Sequence, residues 1–133
     1  ADLFAMPKSR AIPKPTTAEL DLLRMIWPLG PSTVRQVHEA ARRERPETTY
    51  ANVLRLMQVM HGKGLLLRDD SERSHVYAPA HAQESMRKGL LKDLIHKAFA
   101  GSGKELVMAA LRDGHVTPEE REEIRKLLRR EGQ

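Results

Sequence analysis

Asn52 and Arg55 stand three residues apart in the stretch TTYANVLRLMQVMHGKGLLL, Thr48 to Leu67, and both carry forked polar groups able to make paired hydrogen bonds. On a helix from about Thr48 to Gly62, at roughly 100° per residue, Thr48, Ala51, Asn52, Arg55 and Val59 share one side. Tyr50, Val53, Leu54, Met57 and Met60 converge on the other, which is suited to packing. The polar side combines small residues, which let a backbone approach closely, with an amide and a guanidinium that match purine edges in a major groove. The chemistry to expect is readout of a duplex.

Other chemistries find little support. There is no His-Glu-x-x-His, no glycine-rich phosphate loop and no Gly-x-Ser-x-Gly. The six histidines, His38, His61, His75, His81, His96 and His115, share no helical face of metal ligands. With no cysteine there is no disulfide, no thiolate metal site and no cysteine nucleophile. An enzyme is not expected, nor a metal, nor a cofactor. Hydrophobic residues make up 40% of the 133, enough for a folded core, and with aromatics at 4% that core must be built of Leu, Val, Met, Ile and Ala. No apolar run approaches the roughly 20 residues of a membrane span, and the start lacks the apolar region of a signal peptide. A cytoplasmic protein is expected. A net charge of +5 is compatible with phosphate contacts.

The elements that must position Asn52 and Arg55 follow from caps and breakers. Residues 1–15 carry three prolines and no sustained period, so they read as a flexible basic arm. Thr16 with Glu19 three residues on forms a capping box, and Leu20, Leu23, Ile26 and Trp27 give the first helix one apolar face up to Pro28–Leu29–Gly30. Ser32 or Thr33 caps a second helix with Val34, Val37, Ala40 and Ala41 inward, and Arg35 among the residues facing out. Pro46 ends it near Arg45. Two short helices joined by a tight turn, the second carrying the polar face, make a helix-turn-helix.

Beyond Gly62 and Gly64 the period becomes extended. Leu65–Leu66–Leu67–Arg68 and His75–Val76–Tyr77–Ala78 flank a polar turn, a hairpin pattern that reads as a wing. Arg68, Arg73 and His75 bring positive charge there, opposed by Asp69, Asp70 and Glu72, and Arg73 is the expected backbone contact. Pro79 closes the wing. A long helix from about His81 to Phe99 carries two stripes, Met86, Leu90, Leu94, Ala98 and Leu91, Ile95, Phe99. Two short helices follow: one from Lys104 to Arg112 carrying Leu106, Val107, Ala110 and Leu111, the other opened by Thr117–Pro118–Glu119–Glu120 and burying Ile124, Leu127 and Leu128. Three such helices make a thin core. Burial against a second copy is the simplest remedy, so a homodimer through residues 81–131 is expected.

The order of these elements and several local sequences together resemble the penicillinase-repressor family, which includes the β-lactamase and methicillin-resistance repressors and copper-responsive repressors. The matching stretches are Thr17–Ala18–Glu19–Leu20 with Ile26–Trp27, Gly30–Pro31–Ser32–Thr33–Val34–Arg35–Gln36–Val37, Tyr50, Val53–Leu54, Leu56, Gln58, Lys63–Gly64–Leu65–Leu66, and Val76–Tyr77–Ala78–Pro79. The resemblance implies a winged-helix transcriptional repressor that sits as a homodimer on an inverted-repeat operator in double-stranded DNA. It puts the reading positions at Thr48, Tyr50, Ala51, Asn52 and Arg55, with Asn52 and Arg55 on bases and Thr48 and Tyr50 on the backbone. Ala51 and Asn52 stand where the family commonly has two threonines, and Arg55 where a threonine is frequent, which implies a sequence preference of its own. Ala109–Ala110 stands where the best-known repressors of the family are cut at an Asn–Phe bond.

The expected fold is mainly α with a small β-hairpin wing. It comprises an arm over 1–15, a winged helix-turn-helix DNA-binding domain over 16–80 and a C-terminal helical dimerisation domain over 81–131. DNA contacts are expected from Thr48, Tyr50, Ala51, Asn52, Arg55, Arg35 and Arg73. Dimer contacts are expected from Met86, Leu90, Leu91, Leu94, Ile95, Ala98, Phe99, Ile124, Leu127 and Leu128. The alternative is a winged-helix module whose main task is to bind a small-molecule effector or a protein through its C-terminal helices.

Overall fold

The computed structural model describes residues 11–132, so most of the expected arm, residues 1–10, lies outside the described residues. The chain divides into two compact units between Leu90 and Leu91. The first contains α1 (Thr17–Leu29), β1 (Ser32–Thr33), α2 (Val34–Glu44), α3 (Tyr50–Lys63), β2 (Leu66–Asp69), β3 (Val76–Pro79) and the opening turns of α4 (Gln83–Phe99). The fold is mostly helical with one small antiparallel sheet, as the sequence leads one to expect.

The helices α1, α2 and α3 each begin where a side chain can satisfy free N–H groups. Thr16 and Glu19 form a reciprocal capping box on α1, and Thr33 and Gln36 another on α2. Such a cap contributes about 1 kcal/mol. The helix α3 is stopped by Gly64, whose φ of +86° lies in the left-handed region and lets Leu65 N–H close back on the Met60 carbonyl at 2.9 Å. That reversal feeds the chain directly into β2.

The sheet has three strands in the order β1-β3-β2. Leu66 pairs with Pro79 and Asp69 with Val76 across the hairpin, while Ser32 and Thr33 pair with Tyr77 and Val76 on the other edge. Thr33 is thus both the last residue of β1 and the cap of α2. The strand β1 is an addition to the expected two-stranded wing.

Leu22, Leu23 and Ile26 of α1, Val34 and Val37 of α2, and Val53, Met57 and Met60 of α3 fill the core with Leu65, Leu66, Tyr77 and Met86. On α1 the buried face is set one position from the expected stripe: Leu22 is buried, whereas Leu20 and Trp27 lie at the margin. Trp27 is oriented by its Nε1–H, which donates to the His81 carbonyl at 2.9 Å. Met86 is 3% exposed within this core and Leu90 packs on it. The Met86 side chain is therefore committed within one copy, which corrects the expectation that it faces a partner, whereas Leu90 stays partly exposed.

The second unit contains the rest of α4, then α5 (Gly103–Arg112) and α6 (Pro118–Glu131). Gly101, at φ +86°, turns the chain out of α4 and its N–H closes on the Ile95 carbonyl. Ser102 caps α5, and Thr117 with Glu120 forms a capping box on α6 with Pro118 in its first turn. Arg121 Nη2 donates to the Leu111 carbonyl at 2.8 Å, tying α6 to the end of α5. No residue of α5 or α6 is fully buried. None of the described helices is long and apolar enough to cross a membrane.

Candidate nucleic-acid interface

The polar face begins with the turn that delivers α3. Pro46 follows the end of α2, Thr48 N–H closes a turn onto the Arg45 carbonyl, and Thr49 caps α3 by accepting from Asn52 N–H at 3.2 Å. The helix therefore starts at Tyr50, two residues after the expected Thr48. Thr48 is half-buried in the turn, and its carbonyl accepts from His38 Nε2 of α2 at 2.9 Å. A carbonyl can only accept, so Nε2 is the donor in that contact.

Tyr50 departs from its expected side. It is 47% exposed, and its ring is met edge-on by His38 at 5.7 Å between centroids and 88° between planes. At the first position of the helix it precedes the turn where Val53 enters the core. Val53, Met57 and Met60 are buried and Leu54 half-buried, while Ala51, Asn52, Arg55 and Val59 are exposed. Arg55 Nη2 donates to Asn52 Oδ1 at 3.0 Å. Both expected base-reading side chains therefore sit together on the outer face of a helix anchored by its inner one.

Flanking α3 are two concave surfaces. A cleft of about 340 Å³ between α3 and the wing is lined by Arg35, Tyr50, Gln58, Arg73 and His75. It brings together one residue from α2, one from α3 and one from the wing among those expected to contact DNA. On the opposite side, a hollow of about 180 Å³ between α1, α2 and α3 is lined by Thr48 and Asn52 together with Asp21, Arg24 and Arg45. Arg24 and Arg45 both reach Asp21. Gln58 lines the cleft, and Arg24 and Arg45 line the hollow, beside the residues expected to contact DNA.

The wing separates its cations by role. Arg68 is held in β2 next to the tip: its Nε is 2.7 Å from Asp70 Oδ1, and its guanidinium lies 6.0 Å from the Tyr77 ring centre. Hydrogen bonding with Tyr77 and then Asp70 raises its pKa above the ordinary value. Arg73, by contrast, is exposed at the tip. Asp69 accepts from Ser71 N–H at 2.9 Å, which holds its carboxyl below the usual range, so the tip keeps negative charge beside Arg73. Arg35 is exposed on α2 and pairs with Glu39 at 3.7 Å.

In the second unit, Leu91, Leu94, Ala98, Leu127 and Leu128 are exposed, Leu94 at 49% and Leu128 at 65%, and Ile95, Phe99 and Ile124 are half-buried. Val107 of α5 is also exposed. Isolated exposed leucines are ordinary on a protein surface, but several on three adjoining helices leave an uncovered apolar area. Among the described residues there is no group of three or more metal-ligating side chains.

A family model described as penicillinase repressor matches residues 15–130. A protein named transcriptional regulator BlaI from Mycobacterium tuberculosis strain CDC 1551 / Oshkosh is 31% identical over 98 residues, covering 74% of this chain and 70% of that relative. The protein of the same name from strain ATCC 25618 / H37Rv matches with the same identity and coverage.

Proposed function

The chain belongs to the penicillinase repressor family of transcriptional repressors, and we propose that it acts in the cytoplasm as a homodimer on an inverted-repeat operator. The observation that carries this reading is the exposed face of α3, where Ala51, Asn52 and Arg55 stand clear of a core that grips the opposite face. A helix so presented fits a major groove. Ala51 lets the backbone come close, Asn52 and Arg55 meet base edges, and Thr48 and Tyr50 meet the backbone beside them. Arg35 and Arg73, on the cleft between α3 and the wing, neutralise phosphates.

Residues 16–80 form the DNA-binding domain in this proposal and residues 81–131 supply the pairing surface, with Met86 turned to the protein's own core. Leu90, Leu91, Leu94, Ile95, Ala98, Phe99, Ile124, Leu127 and Leu128 make the seam. Covering them with a second copy removes apolar area that a single copy leaves in water. Two half-sites about one helical turn of DNA apart, roughly 34–36 Å, or a multiple of it, would then be read at once.

A second reading has one observation in its favour. An open hollow of about 530 Å³ beside His115, Glu120, Ile124 and Leu127 is large enough for a small effector. A seam through Ile124 and Leu127 would occupy the same surface, so dimerisation without any added ligand favours the first reading.

The deciding experiment is selection of bound duplexes from a random DNA pool, with titration of the winner at several salt concentrations and sedimentation of the free protein. An inverted repeat bound by a dimer, with a steep salt slope, is the expected result. A monomer that enriches no sequence would remove the operator reading.

A further inference from the structure

The two polar side chains on the outer face of α3 are coupled. Arg55 Nη2 donates to Asn52 Oδ1 at 3.0 Å, across an i, i+3 spacing that keeps both on the same side of the helix. This bond changes what each group can offer a base. An asparagine reads adenine with both ends of its amide, Oδ1 accepting from N6–H₂ while Nδ2–H donates to N7. Here one lone pair of Oδ1 is already engaged by a cation. A donor from adenine would have to reach that oxygen alongside the guanidinium.

Apart from the second lone pair of Oδ1, what remains free on the pair is made of donors. Asn52 keeps both Nδ2–H bonds, and Arg55 keeps every N–H except the one given to Asn52. The rest of the face adds little acceptor capacity: Ala51 and Val59 present methyl groups, the Thr48 hydroxyl donates as readily as it accepts, and α3 contains neither aspartate nor glutamate from Tyr50 to Lys63. Gln58, the remaining amide on the helix, lines the wing cleft.

We infer that Asn52 and Arg55 act as one donor unit, and that each operator half-site carries a guanine at the position they face. The inference rests on the operator reading above and specifies what that operator contains. Of the four bases, only guanine shows two acceptors, O6 and N7, on its own major-groove edge. Adenine shows an acceptor and a donor, cytosine a donor, and thymine an acceptor with a methyl group. The guanidinium fork matches the guanine pattern, and Asn52 Nδ2–H can donate to an acceptor on the neighbouring pair. Asn52 also restricts the guanidinium before DNA arrives, so less side-chain freedom is lost on binding. Asn52 is thus a positioning residue for Arg55 as well as a reader.

The test compares duplex selection and operator titration for the full-length protein and its Asn52→Ala, Arg55→Ala and doubly substituted variants. All three changes are on an exposed face and leave the core intact. The expected operator has guanine at the same position of both halves, and its replacement by adenine weakens wild-type binding on the order of 10- to 100-fold. That discrimination disappears in Arg55→Ala, falls in Asn52→Ala, and is no lower in the double variant than in Arg55→Ala alone. An inverted repeat whose discriminated base is adenine, dependent on Asn52 and indifferent to Arg55, would overturn the inference while leaving the repressor reading in place. Guanine discrimination unchanged in Asn52→Ala would overturn the coupling. Failure of the wild type to enrich any inverted repeat would overturn the operator reading, and the guanine assignment with it.

Discussion

Lys63 Nζ lies 2.6 Å from Oε1 of Glu19, joining the last residue of α3 to the first turn of α1 across 44 positions of sequence. Glu19 is 2% exposed and also accepts from Thr16 N–H at 2.8 Å. Burial pushes its carboxyl up, but the hydrogen bonds from Lys63 and Thr16 and the Lys63 charge together outweigh it, so the pKa lies below the ordinary 4.5. A carboxyl with a depressed folded-state pKa stabilises fully above its unfolded value and loses that contribution as pH falls through the folded one. Acid titration of urea unfolding should therefore show stability declining as pH drops below about 4.5, and the decline should be shallower in Glu19→Gln. At neutral pH that variant is expected to lose about 1–3 kcal/mol. Parallel acid profiles for the two proteins would rule the pair out as the cause.

Removing a phosphate contact and removing a base contact leave different signatures. Arg73→Ala, at the wing tip, should weaken binding to operator and random duplex by similar factors and reduce the slope of log affinity against log salt by about 1. Arg35→Ala should do the same from the other edge of the cleft. A change in sequence preference for either, measured by competition with single-base operator variants, would move that residue to the base-reading set.

Leu94 is half exposed on α4. A charge placed there should not disturb the core of the first unit, yet it should be intolerable in an apolar seam. Leu94→Glu is expected to sediment as a monomer with unchanged helical content. Operator affinity should drop far more than affinity for random DNA, because only the operator rewards two linked heads. A Leu94→Glu protein that still dimerises would locate the seam elsewhere.

Trp27→Phe keeps a ring at the margin of the core and deletes the Nε1–H that serves the His81 carbonyl. The expected loss is about 1–2 kcal/mol, a little above that of an average hydrogen bond because the carbonyl is left in a buried segment. As Trp27 is the sole tryptophan, unfolding should be followed by circular dichroism. No change in midpoint would mean that water replaces the indole.

Much of the architecture was legible because it depends on neighbours in sequence. The capping boxes at Thr16 and Thr117, the glycine that ends α3 and the apolar spacing of Val53, Met57 and Met60 are all local signals. The start of α3 was less so: Thr48 and Thr49 are both capable caps, and the choice falls to Thr49, whose oxygen reaches Asn52 N–H. Tyr50 reads as apolar by type, but its position at the helix start leaves it outside, against His38. The strand β1 has two residues and no period to detect; its existence depends on β3, more than 40 residues downstream. The Glu19–Lys63 pair is silent for the same reason. On α4 one continuous stripe from Met86 to Ala98 conceals a change of surroundings, since its beginning belongs to the first unit's core. The site residues were readable as a polar face, but the bond between Asn52 and Arg55 required coordinates.

Thr33 ends β1 and caps α2 with no residue between the two roles. Length variation has no room there. One added residue would either slip Ser32 and Thr33 against Tyr77 and Val76, reversing which side chains face the core, or strip the cap from the helix that carries His38 and Arg35. The tip of the wing, residues 70–75, meets no such double demand. Over evolutionary time, insertions and deletions should accumulate at that tip and be purged from Gly30 to Val34, so a five-residue segment that buries Ser32 and Val34 sets a tight length constraint on the first unit.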